Sequence, residues 1–398
     1  MKFLFSSFLL TILTQPFYST YAGVKVDKNI FFEFKSAELK NQENSNTDDW
    51  TTEKINTFNG QIGFDLNLWG HNINSSVYIR HNESNILNKD YATQSYQIFP
   101  ETIVARNIFK MNHIHSEDSK YTETILNQFN YQWGDDEAWL TAGRMIIDFG
   151  EGFFSNPINP LNINSKFSHQ INVNQSNDGL ALLLGKNDKL KLHIFLLGDK
   201  SYTDYDEKIT RTLLLRGDWK MNQYTHINYI LGEDQKRHKY GVELQQKIEE
   251  DRIGYLQMVK YSQNLENEDP NDPGIFHYLI GYKFDPNPFN NLRIEFGKTS
   301  REINSSEYSQ LNYLPFEAYW GVVLTHSFSD HLFAEVGFSQ DTDTDFRYYK
   351  ISSSYIYNKN ARFKLFHSAP VKDAEDDPKH ASQAAIPSLT GASIELYF

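Results

Sequence analysis

The residues whose types and spacing could act on a solute are concentrated between positions 138 and 166. A predicted strand, Trp139–Ile147, carries Arg144 and leads into a segment with Gly150, Gly152, two prolines and four asparagines. Glycine and proline interrupt the hydrogen-bond ladder of a sheet, so this segment is predicted to leave the sheet as a loop. It also carries apolar side chains that would gain from burial: Phe149, Phe153, Phe154, Ile158 and Leu161.

The chemistry expected of this segment is electrostatic. Fixed charges around a water-filled passage attract or repel solutes and so set its selectivity. We predict that the loop folds into the interior of a closed sheet and narrows it; the alternative is that it caps the outer rim. The residues predicted to form this constriction or to line the passage are Arg144, Asp148, Glu151, Phe153, Phe154, Asn156, Asn159, Lys283, Arg293 and Glu295.

Two other stretches begin like metal sites but lack essential ligands. Asp341–Asp345 starts like a calcium loop, yet Phe346 stands where the sharp turn needs glycine and Ser352 where a bidentate glutamate is needed. His113 and His115 would share one strand face, but no third ligand is evident in the sequence. We therefore predict neither a metal site nor a cofactor.

Motifs for catalysis are weak as well. Asp135–Glu137 lies between strand signals and is predicted to be a solvated turn and not a pair of catalytic acids. We find no G-x-S-x-G nucleophile elbow and no phosphate-binding G-x-x-x-x-G-K-[ST] loop. His326 beside Ser327 supplies the residue types of a lipid hydrolase without a specific arrangement. The prediction is that the protein is not an enzyme.

Composition narrows the class of protein. The chain has no cysteine, and its net charge of −13 disfavours a nucleic-acid partner, which needs clustered Lys and Arg. The mean hydropathy of −0.58 is that of a water-soluble chain, yet aromatic residues reach 15%. A transmembrane β-barrel explains both values, because only alternate residues of each strand face lipid and aromatics gather at the two interfaces.

Apolar residues recur with a period of two along most of the chain. Ile62–Leu68, Leu190–Leu196, Phe276–Phe284 and Leu332–Phe338 each alternate apolar with polar side chains. This is the pattern of half-buried strands, and sustained helical periodicity is absent. The predicted fold is therefore all-β.

Connections between the predicted strands alternate in length. Short polar ones, such as 249–251 and 358–360, alternate with long ones at Ala37–Ile55, Asp199–Lys208, 263–274, 300–315 and 371–387. Outer-membrane barrels have this alternation of tight periplasmic turns and long outer loops. We predict a barrel of eighteen strands, with sixteen or twenty as alternatives. The strand count depends on Val24–His115, where Val24–Ser36 could be partly a plug or a terminal extension and Asn82–Pro100 could hide a strand.

The two ends of the chain indicate export. Residues 1–22 have a basic start, an apolar run and a small-residue step before Gly23, which predicts a secretory signal peptide followed by one barrel domain, 23–398. Ala392, Ile394, Leu396 and Phe398 form an apolar face that ends on an aromatic residue. Such a terminal strand is what barrel-insertion machinery recognises. The predicted location is the outer membrane of a Gram-negative bacterium, in contact with its lipid and lipopolysaccharide.

Alternation also predicts which polar side chains face the interior. Opposite charges across neighbouring strands are expected mostly to pair and brace the wall, while a minority acts on solutes. The predicted inward residues are Asp65, His193, His226, Asn228, Lys260, Lys283, Arg293, Glu295, Glu335, Arg362, Lys364 and Glu395.

One segment resembles a known family. Gly143-Arg144, Phe149-Gly150-Glu151, Asn156-Pro157 and Asn159-Pro160 resemble the G-R-Q, W-G-E and N-P pattern of alginate-export-type porins across about thirty residues, with Met145 and Phe149 as departures. The resemblance implies a passive channel in which Arg144 and Glu151 line or brace the constriction. The predicted function is diffusion of small hydrophilic solutes such as sugars, uronates or other organic acids. An adhesive or structural barrel and a lipid-modifying barrel enzyme are the alternatives.

Overall fold

Long antiparallel strands, the expected consequence of the period-two pattern, make up nearly all of the protein. The computed structural model describes residues 24–42, 50–68, 71–84, 112–117, 120–135, 137–154, 156–159, 161, 176–187, 189–202, 207–234, 237–262, 274–287, 290–300, 318–342, 347–370 and 388–398. Within these ranges no helix is long and apolar enough to cross a membrane. The predicted signal peptide lies outside the described residues.

Nineteen strands are numbered here in chain order. Their bounds are β1 Val24–Gln42, β2 Trp50–Leu68, β3 His71–Ser84, β4 Asn112–Glu117, β5 Lys120–Gly134, β6 Ala138–Ile146, β7 Ser176–Asn187, β8 Leu190–Tyr202, β9 Glu207–Lys220, β10 Thr225–Asp234, β11 Arg237–Glu249, β12 Arg252–Tyr261, β13 Ile275–Asn287, β14 Asn290–Thr299, β15 Ala318–Ser327, β16 Leu332–Asp341, β17 Arg347–Asn358, β18 Ala361–Pro370 and β19 Ser388–Tyr397.

Eighteen of these strands form one closed antiparallel barrel. The sheet closes where β19 pairs with β1, from Phe31 opposite Tyr397 to Lys40 opposite Ser388. The predicted all-β barrel and its strand number are thereby confirmed. The idea that Val24–Ser36 is a plug is wrong, because β1 pairs along its whole length with β2 and belongs to the wall.

The additional strand is β4, and it explains how the wall tolerates an interruption. On one side β5 pairs with β3; on the other, Phe129–Gly134 pairs with β6 and Lys120–Ile125 pairs with β4. The strand β6 ends at Ile146, so the N-terminal part of β5, Lys120–Ile125, would otherwise present a free edge. β4 covers that edge where the chain leaves the wall.

The two ends of the barrel differ as predicted. At one end the connections are short, as at 69–70, 188–189 and 359–360, whereas the other end carries the segments 147–175, 300–317 and 371–387. Ala37–Ile55 was expected to be a loop, but strand pairing continues through Gln42 and Trp50. Likewise β8 and β9 extend into the expected loop Asp199–Lys208. Polar side chains are compatible with strands that project beyond a bilayer into water, which is why composition misplaced these boundaries. Of Asn82–Pro100, the residues to Ser84 belong to β3 and the rest lies outside the described residues.

The two faces of the wall are chemically distinct. Apolar side chains exposed on one face include Leu196, Leu213, Tyr240, Met258, Ile280, Ile294, Leu324, Val336, Leu365 and Ile394. Buried polar side chains, such as Glu243, Gln257 and Glu295, occupy the opposite face. In a transmembrane barrel the apolar face contacts lipid and the polar face lines the interior.

Lys260 is a correction to the predicted inward set. It shares its face of β12 with exposed Met258, whereas Tyr255, Val259 and Tyr261 are buried on the inward face. Apart from Gln257, the inward residues of β12 are apolar or aromatic, so the alternation that assigns lipid-facing residues elsewhere gave the wrong phase here.

Large aromatic side chains gather at the short-turn end of the outer face. Trp133, Phe328, Tyr357 and Phe398 are each more than half exposed and lie at strand ends or in the turns. Aromatic residues at this level form the interfacial girdle of membrane barrels.

Candidate functional site

The segment that follows β6 runs along the inward face of the barrel. We call residues 147–161 the inner loop. The apolar residues Met145, Ile147, Phe149, Ile158 and Leu161 are buried with wall residues of β8 to β13, which are Phe195, Leu197, Leu214, Ile230, Val259, Tyr261 and Ile275. Each large apolar side chain buried in this way contributes about 1.5–3 kcal/mol relative to exposure. The loop therefore packs on the wall and does not cap the rim.

Two wall carboxylates hold the backbone of the inner loop. Glu295 on β14 accepts hydrogen bonds from the backbone N–H groups of Phe153 and Phe154, the latter at 2.8 Å to Oε2, and from the Tyr255 hydroxyl. Glu243 on β11 accepts the backbone N–H of Glu151 at 2.9 Å. Charged acceptors make the stronger class of hydrogen bond, so these contacts fix the loop at two points.

A second set of contacts holds the Asn156-Pro157 step. The Gln257 side chain donates to Asn156 Oδ1 at 3.2 Å, and Lys239 Nζ donates to the Pro157 carbonyl at 2.8 Å. Lys239 Nζ also donates to the Tyr261 hydroxyl at 2.7 Å. The Asn156-Pro157 step that stands out in the sequence therefore lies where side chains of the wall hold the inner loop.

Gly150 is required by the shape of the loop. Its φ is +86°, and a Cβ at this position would lie 2.4 Å from Asn156 Oδ1 and 2.7 Å from Ile158 Cγ2. Only glycine adopts this conformation without strain and leaves room for the returning chain. The turn directs Glu151 and Phe153 toward β11 and β14.

The tip of the loop reaches the far side of the wall. Phe154 is 1% exposed and packs with Tyr255, Leu279, Tyr319 and Val323, which come from β12, β13 and β15. Phe153 lies beneath the guanidinium of Arg293, whose carbon is 5.2 Å from the ring centroid. A loop that starts at β6 and contacts β15 extends across the inside of the barrel.

Arg144 is buried in the wall beside the start of the loop. Its Nε and Nη2 donate to the two carboxylate oxygens of Asp178 on β7, at 2.7 and 2.9 Å, and Nη1 donates to the Leu126 carbonyl at 2.9 Å. Side-chain exposure is 3% for Arg144 and 7% for Asp178. The guanidinium therefore links β6 by hydrogen bonds to β5 and β7, at the point where the chain turns inward.

Four of the charged residues that stay accessible beside the loop form one network. Glu151 pairs with Lys283 at 3.3 Å, Lys283 with Asp285 at 3.2 Å, and Asp285 with Arg293 at 3.3 Å. Their side chains retain between 17% and 30% exposure. Acid and base alternate here, as expected for an electrostatic lining.

The ten residues predicted from sequence thus divide into two groups. Arg144, Phe154, Asn156, Asn159 and Glu295 are buried in contacts that hold the loop or the wall. Asp148, Glu151, Phe153, Lys283 and Arg293 keep exposed surface. Asp148 also accepts a hydrogen bond from the Asn159 amide at 3.2 Å.

Most other inward charges pair across neighbouring strands. His193 contacts Asp218 at 2.9 Å, Lys350 contacts Glu335 at 2.7 Å, and Arg362 contacts Glu395 at 3.4 Å. Lys364 differs: among the described residues it makes no ion pair or hydrogen bond. It lies within electrostatic range of Glu33, Lys35 and Lys350.

Several residues that hold the loop were not predicted. Glu243, Gln257, Lys239 and Tyr255 all lie at inward positions of their strands. The alternation of inward and outward positions along each strand predicts that these side chains point inward. Nothing in the local sequence shows that they contact the inner loop.

Within the described ranges no group of three or more His, Cys, Asp or Glu residues could hold a metal ion. Asp135 Oδ1 accepts the backbone N–H groups of Glu137 and Ala138 at 2.9 and 3.0 Å, which makes the predicted turn. These two hydrogen bonds lower the pKa of the exposed Asp135.

Solved structures share this architecture. Acinetobacter baumannii OccAB3 matches with a TM-score of 0.57 and 10% identity over 94% of this chain and 99% of its own. Pseudomonas aeruginosa OccK7 (OpdD) matches with a TM-score of 0.57 and 8% identity over 95% and 99%, and Pseudomonas aeruginosa OpdQ with 0.53 and 8% over 94% and 97%. No protein-family model and no curated protein matches the chain in sequence. The shared fold is that of outer-membrane porins of the Occ/OprD family.

Proposed function

We propose that this protein is a porin-like channel of the outer membrane through which small hydrophilic solutes diffuse. The observation that carries the proposal is the inner loop, which packs from β8 to β15 on the inward face and bears the network of Glu151, Lys283, Asp285 and Arg293. A loop of this kind reduces the open cross-section and places fixed charges beside the remaining passage. No covalent step and no cofactor is needed.

Export is part of the proposal. Residues 1–22 would be removed as a signal peptide, and barrel-insertion machinery would bring residues 23–398 into the membrane. The closing position of β19 supports this role for the aromatic C-terminus. The resemblance of the Gly143–Pro160 segment to alginate-export-type porins stays a prediction, because the structures named above belong to another porin family.

The alternative of a lipid hydrolase gains nothing from its best candidate pair. His326 and Ser327 are adjacent in β15 and so point to opposite faces of the wall. The Ser327 hydroxyl donates to the Ser329 carbonyl at 2.6 Å, and the His326 ring packs on Phe328. This pair has no nucleophile–base geometry.

The test of the channel is planar-bilayer recording of the purified protein. We expect discrete conductance steps, because the barrel is closed and its accessible inward groups are charged. Protein-free bilayers treated with the same detergent serve as the control. Absence of steps at every salt concentration and voltage would contradict the channel proposal.

A second prediction concerns selectivity. Lys364→Glu changes by two units an inward charge that makes no ion pair among the described residues. A unit charge about 10 Å from an ion in water changes the energy of that ion by roughly 0.4 kcal/mol, and salt at about 0.1 M reduces this effect about threefold. We expect the cation-to-anion permeability ratio to rise about two- to fourfold. The reversal potential in a salt gradient measures this ratio. Lys364→Arg should have the same permeability ratio as the unsubstituted protein. An unchanged ratio in Lys364→Glu would show that Lys364 does not act on ions in the passage.

A further inference from the structure

On the outer face of the barrel, at the end with the long connections, some basic residues pair with carboxylates and others have no ion-pair partner among the described residues. Lys54 pairs with Glu38 at 3.6 Å, and Lys120 pairs with Glu83 at 3.4 Å. These lysines are neutralised by carboxylates on neighbouring strands of the β1 to β5 sector.

On the outer face of the sector from β12 to β17, at this same end, the described basic residues have no neighbouring carboxylate that neutralises them. Lys260 and Lys298 are the penultimate residues of β12 and β14, and Arg347 is the first residue of β17, so all three lie at the same rim. They share their strand faces with exposed Met258, Phe296 and Ile351 and therefore point outward. The Asp and Glu residues within these strands, Asp285, Glu295, Glu335 and Asp341, all occupy inward positions. Among the described residues, none of the three basic side chains has an ion-pair partner.

Aromatic rings separate these basic residues. In the sheet register Lys260 lies opposite Phe276, Lys298 lies opposite Tyr278, and Trp320 lies opposite Gln340, which in turn pairs with Arg347. Phe276 and Tyr278 have ring centroids 6.5 Å apart. Aromatic side chains on the lipid face lie at the level of the headgroups, so the basic residues lie there too.

We propose that this surface binds the phosphorylated sugar headgroup of a glycolipid in the outer leaflet, with lipopolysaccharide as the source. The long connections mark the outer side of the membrane, where this lipid is the anionic component. Lys260 and Lys298 are two strands apart, about 10 Å, so they can contact separate phosphate groups of one headgroup. The flat rings between them pack against its sugars and the beginning of its acyl chains.

This inference rests on the outer-membrane location contained in the proposed function, but not on conduction. A protein that conducts without binding the glycolipid, or binds it without conducting, separates the two proposals. The position of the patch outside the barrel means that its substitution leaves the inner loop and its charges untouched.

The experiment measures binding of purified bisphosphorylated lipid A to the full-length protein in neutral detergent. Lys260→Gln combined with Lys298→Gln should weaken binding about thirtyfold, and each single substitution about fivefold, because each basic residue near an anionic surface contributes a similar factor. Lys54→Gln combined with Lys120→Gln is the matched control and should change binding less than twofold. The far-UV circular dichroism spectrum in the same detergent reports that each variant is folded.

Three outcomes would overturn the proposal. Equal binding by the Lys260/Lys298 variant would show that the patch is not the site. An equal loss in the Lys54/Lys120 control would show attraction to the whole rim. Equal binding of lipid A from which the phosphates have been removed, or equal competition by phosphatidylglycerol, would show that the phosphorylated sugar headgroup is not what the patch recognises.

Discussion

Removing residues Gly152–Asn162 should raise the single-channel conductance roughly threefold or more, because the described part of this segment, 152–154, 156–159 and 161, occupies cross-section inside the barrel. The deletion takes away Phe154 and the Asn156-Pro157 step, which pack against β11 to β15. The wall itself should persist, since its strands pair independently of the loop. Planar-bilayer recording before and after deletion measures the effect.

A deletion of the same length in the connection between β18 and β19, Glu375–Ala385, is the control. It should leave conductance within about a factor of two, because it leaves the inner loop and its contacts with Glu243 and Glu295 intact. Unchanged conductance after the Gly152–Asn162 deletion, or an equal rise in the control, would refute the assignment of the inner loop as the constriction.

Arg144→Met should be the most destabilising single substitution among the charged residues of the wall. It leaves Asp178 buried without its bidentate partner, and breaking a buried ion pair in this way costs about 3–5 kcal/mol. The expected result is a lower midpoint of denaturant-induced unfolding, measured in detergent micelles or lipid vesicles. Unlike the loop deletion, this change tests the junction of β5, β6 and β7.

Two variants make this prediction specific. Arg144→Met combined with Asp178→Leu should be more stable than Arg144→Met alone, because no unpaired charge stays buried. Arg252→Met removes a member of the more exposed pair with Glu249, 3.3 Å apart, and should cost about 1 kcal/mol or less. If Arg144→Met unfolds at the same denaturant concentration as Arg252→Met, the bracing role of Arg144 is wrong.

The sequence by itself determined the class of fold. Alternation of apolar and polar residues is a local property of a strand, so stretches such as Leu190–Leu196 predicted both the strand and its two faces. The glycines and prolines between Asp148 and Leu161 predicted where the wall is interrupted, because these residues cannot continue a ladder. The apolar residues of the same segment predicted that it would be buried.

Only the tertiary structure decided what the inner loop is buried against. Glu295 accepts the backbone N–H of Phe153 from 142 positions away in the chain. Such a contact depends on the strand number, the register and the curvature of the closed sheet, which no local pattern encodes. The same reason explains Lys260. Its inward neighbours Val259 and Tyr261 are buried with apolar residues of the loop, and alternation alone cannot tell such a face from the one that meets lipid.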